Sequence, residues 1–118
     1  MSETVPVLRG DPVTIRIADL QMDGVPWADW EDYLPVSQVR ARERATVVAA
    51  EFTITADAGD MLLTLSAAAT EALARPLYVW DVEFTDPITG DAFTWPGPGA
   101  ARNRLAVTSD VTRVEVAP

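Results

Sequence analysis

The stretch that most constrains the fold is residues 77–85. Large apolar side chains occupy every second position there, and most of the side chains between them are polar. Tyr78, Trp80, Val82 and Phe84 occupy every second position. A period of two is typical of a β-strand with one buried face and one hydrated face. Three of these four side chains are aromatic, so the strand contributes much of the apolar surface of the core. The turn residues of segment 86–91 follow it and predict a reversal into an antiparallel hairpin.

The composition is that of one globular domain spanning residues 1–118. The hydrophobic fraction of 48% is ordinary for a folded protein. The sequence contains no run of about 20 apolar residues, so we expect no membrane-spanning helix. Residues 1–4 carry neither a basic nor an apolar run, so we expect no secretory signal.

The residue types that are missing exclude several kinds of site. The chain has no cysteine and no histidine, which rules out disulfides and thiolate metal sites and removes the commonest general base. The net charge of −9 argues against binding to nucleic acid or to an anionic membrane. The acids between Asp19 and Asp32 match no calcium loop. We therefore expect no enzyme, no cofactor and no metal.

Eight further segments complete the predicted architecture. Residues 1–12 form either an N-terminal arm or an edge strand, in which Arg9-Gly10-Asp11 is interpreted as a turn. The predicted strands span residues 13–18, 36–44, 46–55, 61–65, 77–85, 92–95 and 104–109. Ser66 is placed as the N-cap of a short helical connector over 66–74. The expected core scaffold consists of Ile15, Ile17, Phe52, Ile54, Leu63, Leu65, Tyr78, Trp80, Val82 and Phe84.

About seven short strands with regular turn signals predict an all-β protein, an antiparallel β-sandwich. The short alanine-rich connector before the 77–85 strand fits an immunoglobulin-like layout. In that layout Tyr78 occupies the corner at the start of the strand and Trp80 the centre of the core. A β-barrel is the alternative that strand counting leaves open.

The segment from Trp27 to Pro35 is rich in aromatic and acidic residues and allows two interpretations. In the first, a loop or a single helical turn lays its aromatic rings over the open end of the core. In the second, the rings form a binding surface, since tryptophan and tyrosine are enriched at interface hot spots. The candidate partner contacts under the second interpretation are Trp27, Trp30, Tyr33 and Trp95.

An ordered series of short motifs gives the chain a resemblance to a known family. The motifs are Arg9-Gly10-Asp11, Asp23-Gly24 before Pro26, Phe52–Thr55 with Asp57 and Gly59, Leu63–Ser66 with Thr70 and Leu73, Tyr78–Glu83, and Asp110–Arg113. From about residue 9 to 113 the chain resembles the immunoglobulin-like N-terminal domain of the upper baseplate and tail-fibre proteins of tailed bacteriophages. Two departures are the apparent insertion from Trp95 to Asn103 and the longer, more aromatic Trp27–Pro35 segment.

The resemblance implies a non-enzymatic structural protein of a phage virion, made in the host cytoplasm and not secreted. Its expected role is a tail or baseplate adaptor or assembly subunit that contacts other phage structural proteins, within a multi-subunit assembly or as a homo-oligomer. A receptor-binding part is expected on a separate polypeptide. The alternatives are a capsid decoration protein, a head–tail joining protein, or a carbohydrate-binding module whose exposed tryptophans stack on sugar rings.

Overall fold

The computed structural model describes residues 4–18, 21–22, 25–26, 28–42, 45–96 and 103–109. Their strands are β1 Thr4–Leu8, β2 Val13–Ile17, β3 Gln21–Met22, β4 Val25–Pro26, β5 Leu34–Arg40, β6 Ala50–Glu51, β7 Thr53–Asp57, β8 Asp60–Leu65, β9 Leu77–Thr85, β10 Ala92–Trp95 and β11 Asn103–Thr108. A 3-10 helix spans Ala28–Asp32, and helix α1 spans Ala67–Glu71.

The strands form two sheets that pack face to face. The large sheet has the order β1-β11-β9-β5-β6, and β10 also pairs with β9. The small sheet has the order β2-β8-β7, while β3 and β4 form a separate hairpin. The pair β1–β11 is parallel and the other described pairs are antiparallel. The fold is an immunoglobulin-like β-sandwich with one short helical connector.

Strand β9 lies at the centre of the large sheet, and its inward face follows the alternation of the sequence. Tyr78, Trp80, Val82 and Phe84 are all buried. The Trp80 ring meets the Phe52 ring edge-on at a centroid distance of 5.5 Å. The other expected scaffold positions are buried at Ile15, Ile17, Leu63 and Leu65 and half-buried at Ile54. The core therefore lies between the two sheets, with β9 as its main contributor.

The connector before β9 is built as the sequence indicates. The Ser66 hydroxyl caps α1 by accepting a hydrogen bond from the backbone N–H of Ala69. The Tyr78 hydroxyl accepts a hydrogen bond of 2.9 Å from the backbone N–H of Arg75. A tyrosine whose hydroxyl bonds to backbone a few residues upstream is the corner found in immunoglobulin-like sandwiches. The predicted corner position of Tyr78 is confirmed.

The N-terminal segment is an edge strand, and the turn after it is fixed by internal bonds. Gly10 adopts a φ of 93°, a backbone region that favours glycine. The Arg9 Nε donates to the carbonyl of Leu73, and the Thr70 hydroxyl donates to the carbonyl of Asp11. The Arg9-Gly10-Asp11 sequence is thus a structural turn tied to α1.

Two predicted strands differ from those observed. The single strand expected over 46–55 is divided into β6, which pairs with β5, and β7, which pairs with β8. The chain changes sheets at Phe52, which is buried between the sheets and whose N–H donates to the carbonyl of Ser37. The strand expected over 36–44 ends at Arg40, since Ala45 N–H bonds back to the Arg42 carbonyl in a turn.

The expected interruption after Trp95 is present in the large sheet. Trp95 pairs with Val82 and Asn103 pairs with Trp80, so only one β9 residue separates the two pairings. Seven residues of the chain, 96–102, separate the same two positions. Strands β10 and β11 therefore continue one line in the sheet, and the intervening segment is extra length relative to β9.

Candidate protein-binding face

Trp30 is a core residue, which makes its prediction as a partner contact wrong. It lies in the 3-10 helix with a relative exposure of 3%. Its indole N–H donates a hydrogen bond of 3.0 Å to the carbonyl of Gly59 in the β7–β8 turn. The ring closes one end of the sandwich, as the first interpretation of this segment proposed. A buried indole with a satisfied N–H has no surface left for a partner or a sugar.

Tyr33 and Trp95 are both half-buried, because their rings pack on the edge of the core. Tyr33 meets Phe93 edge-on at a centroid distance of 5.4 Å. Trp95 lies tilted against Trp80 at 6.3 Å. Trp27, the fourth candidate, lies outside the described residues. The three described aromatics thus support the core and do not form a continuous exposed platform.

Four of the seven large exposed apolar side chains of the described residues lie on the side of the large sheet that faces away from the small one. The other three, Val47, Val48 and Ile88, lie in the loops that precede β6 and β10. Register and alternation place Leu34 and Val36 on this side of β5 and Leu77 on this side of β9. Their relative exposures are 57%, 43% and 47%. We call this surface the large-sheet outer face; it comprises Thr4, Pro6, Leu8, Leu34, Val36, Gln38, Arg40, Glu51, Leu77, Val79, Asp81, Glu83, Thr85, Ala92, Thr94, Arg104, Ala106 and Thr108.

The outer side of the small sheet has a different chemistry. Its positions are Thr14, Arg16, Thr53, Thr55, Leu62 and Thr64. Arg16 forms ion pairs with Asp57 and Asp60, and the hydrogen bonds of these pairs raise the pKa of Arg16. Threonine and paired charges suit a surface that stays in water. The contrast between the two sides identifies the large-sheet outer face as the candidate docking surface.

Charged residues on the large-sheet outer face are sorted by sign. Arg40 and Arg104 flank Val79 in one register row. In the next row Glu51 lies opposite Gln38, which lies opposite Asp81. Arg40 donates to the Ala45 carbonyl at 2.6 Å and to the side chain of Gln38 at 2.7 Å. These neutral partners fix the guanidinium and leave its charge without a carboxylate among the described residues.

A second route to association is strand pairing at the edges of the large sheet. Proline residues limit this route. Val39 and Ser37 direct their carbonyls towards the β6 side, where Ala49 and Phe52 donate to them. Because backbone groups alternate in direction along a strand, Pro35 directs its nitrogen to the same side. Strand β6 pairs with Gln38 and Val39 and does not extend to Pro35. The exposed edge at this point therefore has no N–H to offer.

The opposite edge is blocked in the same way. The N–H of Arg9 donates to the Thr108 carbonyl of β11. Alternation then points the nitrogen of Pro6 away from β11, towards the open edge of β1. Proline on edge strands is a common protection against strand addition. Each of these two edges therefore lacks a backbone donor at its proline, whereas the face of the large sheet carries no such obstacle.

A shallow cavity of about 340 Å³ lies at the Tyr78 end of the described part of the sandwich. Its lining includes the exposed side chains of Arg42 and Arg75 together with Tyr78. The described residues contain no cluster of three acidic side chains able to hold a metal ion. None of the described helices is long and apolar enough to cross a membrane.

Comparisons with known proteins find little. The chain matches no protein-family model and no curated protein. Among solved structures it is similar to the NK cell receptor Nkp44, described as a triggering partner in natural cytotoxicity. The similarity has a TM-score of 0.47 and 13% identity and covers 92% of this chain and 99% of that one. At this level the match carries no argument about function.

Proposed function

We propose that the protein is a non-enzymatic structural subunit that acts through protein–protein contacts made by its large-sheet outer face. The observation that carries the proposal is that this face exposes large apolar side chains at both ends, Leu34 and Val36 at one and Leu77 at the other, whereas the outer side of the small sheet carries threonine and paired charges. Exposed apolar surface of this kind often marks a site of protein contact. Burying each of these half-exposed side chains would contribute about 1 kcal/mol to binding.

The setting we propose is the tail or baseplate of a bacteriophage virion, where the protein would serve as an adaptor or assembly subunit. Support for this setting comes from the motif series between residues 9 and 113. A role in capsid decoration or head–tail joining would use the same kind of contact surface. A carbohydrate-binding role is less favoured, because Trp30 is buried and Trp95 packs on Trp80.

The proposal is tested in particles purified from the phage whose genome encodes the chain. Mass spectrometry should find the protein in these particles at a fixed ratio to the major structural proteins. Its absence from purified particles would refute the virion role.

A complementation experiment tests the face itself. The double variant Leu34→Asp, Leu77→Asp should fail to enter particles, because each change places a charge on the apolar part of the docking surface. The matched control is Thr14→Asp with Thr55→Asp, which adds the same charges on the outer side of the small sheet. Circular dichroism should show that both variants fold. Equal incorporation of the two variants would contradict docking through the large-sheet outer face.

A further inference from the structure

From the charge pattern we infer that the partner on the large-sheet outer face is a second copy of this chain. The two copies would pack face to face about a twofold axis that lies between them and runs across the strands. This inference rests on the proposed function in one respect, that the same face is a docking surface. It adds the identity of the occupant and the relative orientation of the two sheets.

The argument begins with two neighbouring bands of opposite charge. The arginine row contains Arg40 and Arg104, one on each side of β9. The acid patch begins one register row away with Glu51 and includes Glu83 on the outer side of β9. Glu51, Glu83 and Arg104 are exposed, and Arg40 is half-buried. The charge on this face therefore changes from positive to negative along the strand direction, near the middle of the face.

Two twofold arrangements keep the strands of the two sheets aligned, and only one of them suits this pattern. A twofold axis parallel to the strands would place the arginine row of one copy on that of the other. An axis across the strands turns one copy end for end and sets the arginine row of each copy against the acid patch of the other. Self-complementarity of this kind is what an isologous interface requires. Opposite charges brought together across an interface also fix its register.

The apolar side chains fit the same end-for-end arrangement. Leu34 and Val36 lie at the acidic end of the face, and Leu77 lies beyond the arginine row at the other end. Turning one copy over therefore places an apolar end of each molecule against an apolar end of its partner. Leu34 and Leu77 then lie at the two ends of the charged bands, with Val36 beside Glu83 in the acid patch. The same orientation therefore places apolar residues against apolar residues and positive charges against negative charges.

The face is large enough for a specific dimer. The path of the large sheet has five strand positions, and β9 contains 9 residues. Standard strand spacings set an outer limit of roughly 24 Å by 30 Å, and the shorter strands beside β9 reduce the flat area to about 500 Å² on each copy. The total of about 1,000 Å² is at the lower limit of the size expected of a specific interface. The net charge of −9 on each copy opposes association, although salt at physiological strength screens charges more than about 8 Å apart.

A charge-swap experiment tests the inference. The first variant, Arg40→Glu with Arg104→Glu, makes the arginine row negative. The second, Glu51→Arg with Glu83→Arg, makes the acid patch positive. Sedimentation equilibrium at physiological salt and high micromolar concentration should give the native chain twice its mass of 12.8 kDa. Each variant alone should be monomeric, and an equimolar mixture of the two should recover the dimer.

Net charge alone predicts a different result, which makes the second variant decisive. Two changes of +2 each take its charge from −9 to −5, so weaker general repulsion would favour its association. Contact between like-charged rows predicts that it dissociates. Thr55→Glu, on the outer side of the small sheet, is the matched control and should leave the dimer intact. If loss of the Arg40 hydrogen bonds unfolds the first variant, Arg104→Glu alone replaces it, because Arg104 is exposed.

The outcomes separate this inference from the proposed function. A native chain that stays monomeric, or a mixture that does not recover the dimer, overturns the twofold dimer. If face variants still block particle entry in that case, the proposed function stands with a different partner. A dimer rescued by mixing, in a protein absent from purified particles, supports the inference and refutes the virion role.

Discussion

Replacing Trp30 with alanine should destabilise the fold, and this prediction separates a core role from a binding role. Trp30 is 3% exposed and packs with the buried residues of the core. Truncation of a buried tryptophan to alanine costs about 3–5 kcal/mol through lost burial and the cavity left behind. The native fold of a domain this size is worth only about 5–15 kcal/mol. The alanine variant should therefore lose between about a fifth and nearly all of the native stability.

The variant Trp30→Phe divides this cost between packing and hydrogen bonding. Phenylalanine keeps an aromatic ring in the site and removes the N–H that bonds to Gly59. Because Gly59 is exposed, water can replace the lost donor at its carbonyl. We expect a loss of about 1–2 kcal/mol, from one hydrogen bond of about 1 kcal/mol and a small reduction in ring volume.

Urea titration followed by far-ultraviolet circular dichroism measures both costs. Circular dichroism is preferable to fluorescence, because the other three tryptophans contribute to the fluorescence signal. The midpoint should fall in the order native, phenylalanine, alanine, with an unchanged slope against denaturant. An alanine variant within about 0.5 kcal/mol of the native protein, the range of ordinary surface changes, would show that Trp30 is not part of the core.

Three further predictions concern turns and the corner. Tyr78→Phe should lower the free energy of unfolding by about 1 kcal/mol in the same titration, since the N–H of Arg75 loses its acceptor. Ala58→Asn should raise the melting temperature, because Ala58 has a φ of 53° that costs most residues about 1–2 kcal/mol and asparagine less. The backbone N–H of Ile88 lowers the pKa of Asp86, so NMR titration should place it below the ordinary value. The stability linked to Asp86 should be fully present above about pH 4 and lost as the pH falls through the lowered pKa, and Asp86→Asn should remove this dependence.

The central strand and its corner could be predicted because their signals are local. The alternation from Tyr78 to Phe84 specifies which side chains are buried wherever the strand is placed in a sheet. The tyrosine corner needs only the short connector and the first turn of backbone before β9. Ser66 likewise caps α1 with a bond to Ala69, three residues away. Such features can be predicted because the interacting groups are only a few residues apart in the sequence.

The features that were predicted wrongly depend on contacts between distant residues. Trp30 has an ambiguous local sequence, and its burial depends on Gly59, 29 positions away in the turn between β7 and β8. The transfer of the chain between sheets at Phe52 is similar. Its flanking residues favour one continuous strand, while bonding to β5 on one side and β8 on the other divides it. Propensity shows that these residues are extended and does not show which neighbour each one meets.

The sequence contains an indication of the large-sheet outer face, although its aromatic residues direct attention to other segments. Val36 falls on the same side as Gln38 and Arg40 in the alternation, so a large apolar side chain at an outward position was visible beside polar ones. Leu77 begins the outward series of β9 in the same way. Recognising the two as one surface requires the pairing of β5 with β9, which the sequence does not display. Once that pairing is known, two observations favour association through the large-sheet outer face. Prolines limit strand pairing at both edges, and the face itself carries exposed apolar and charged residues.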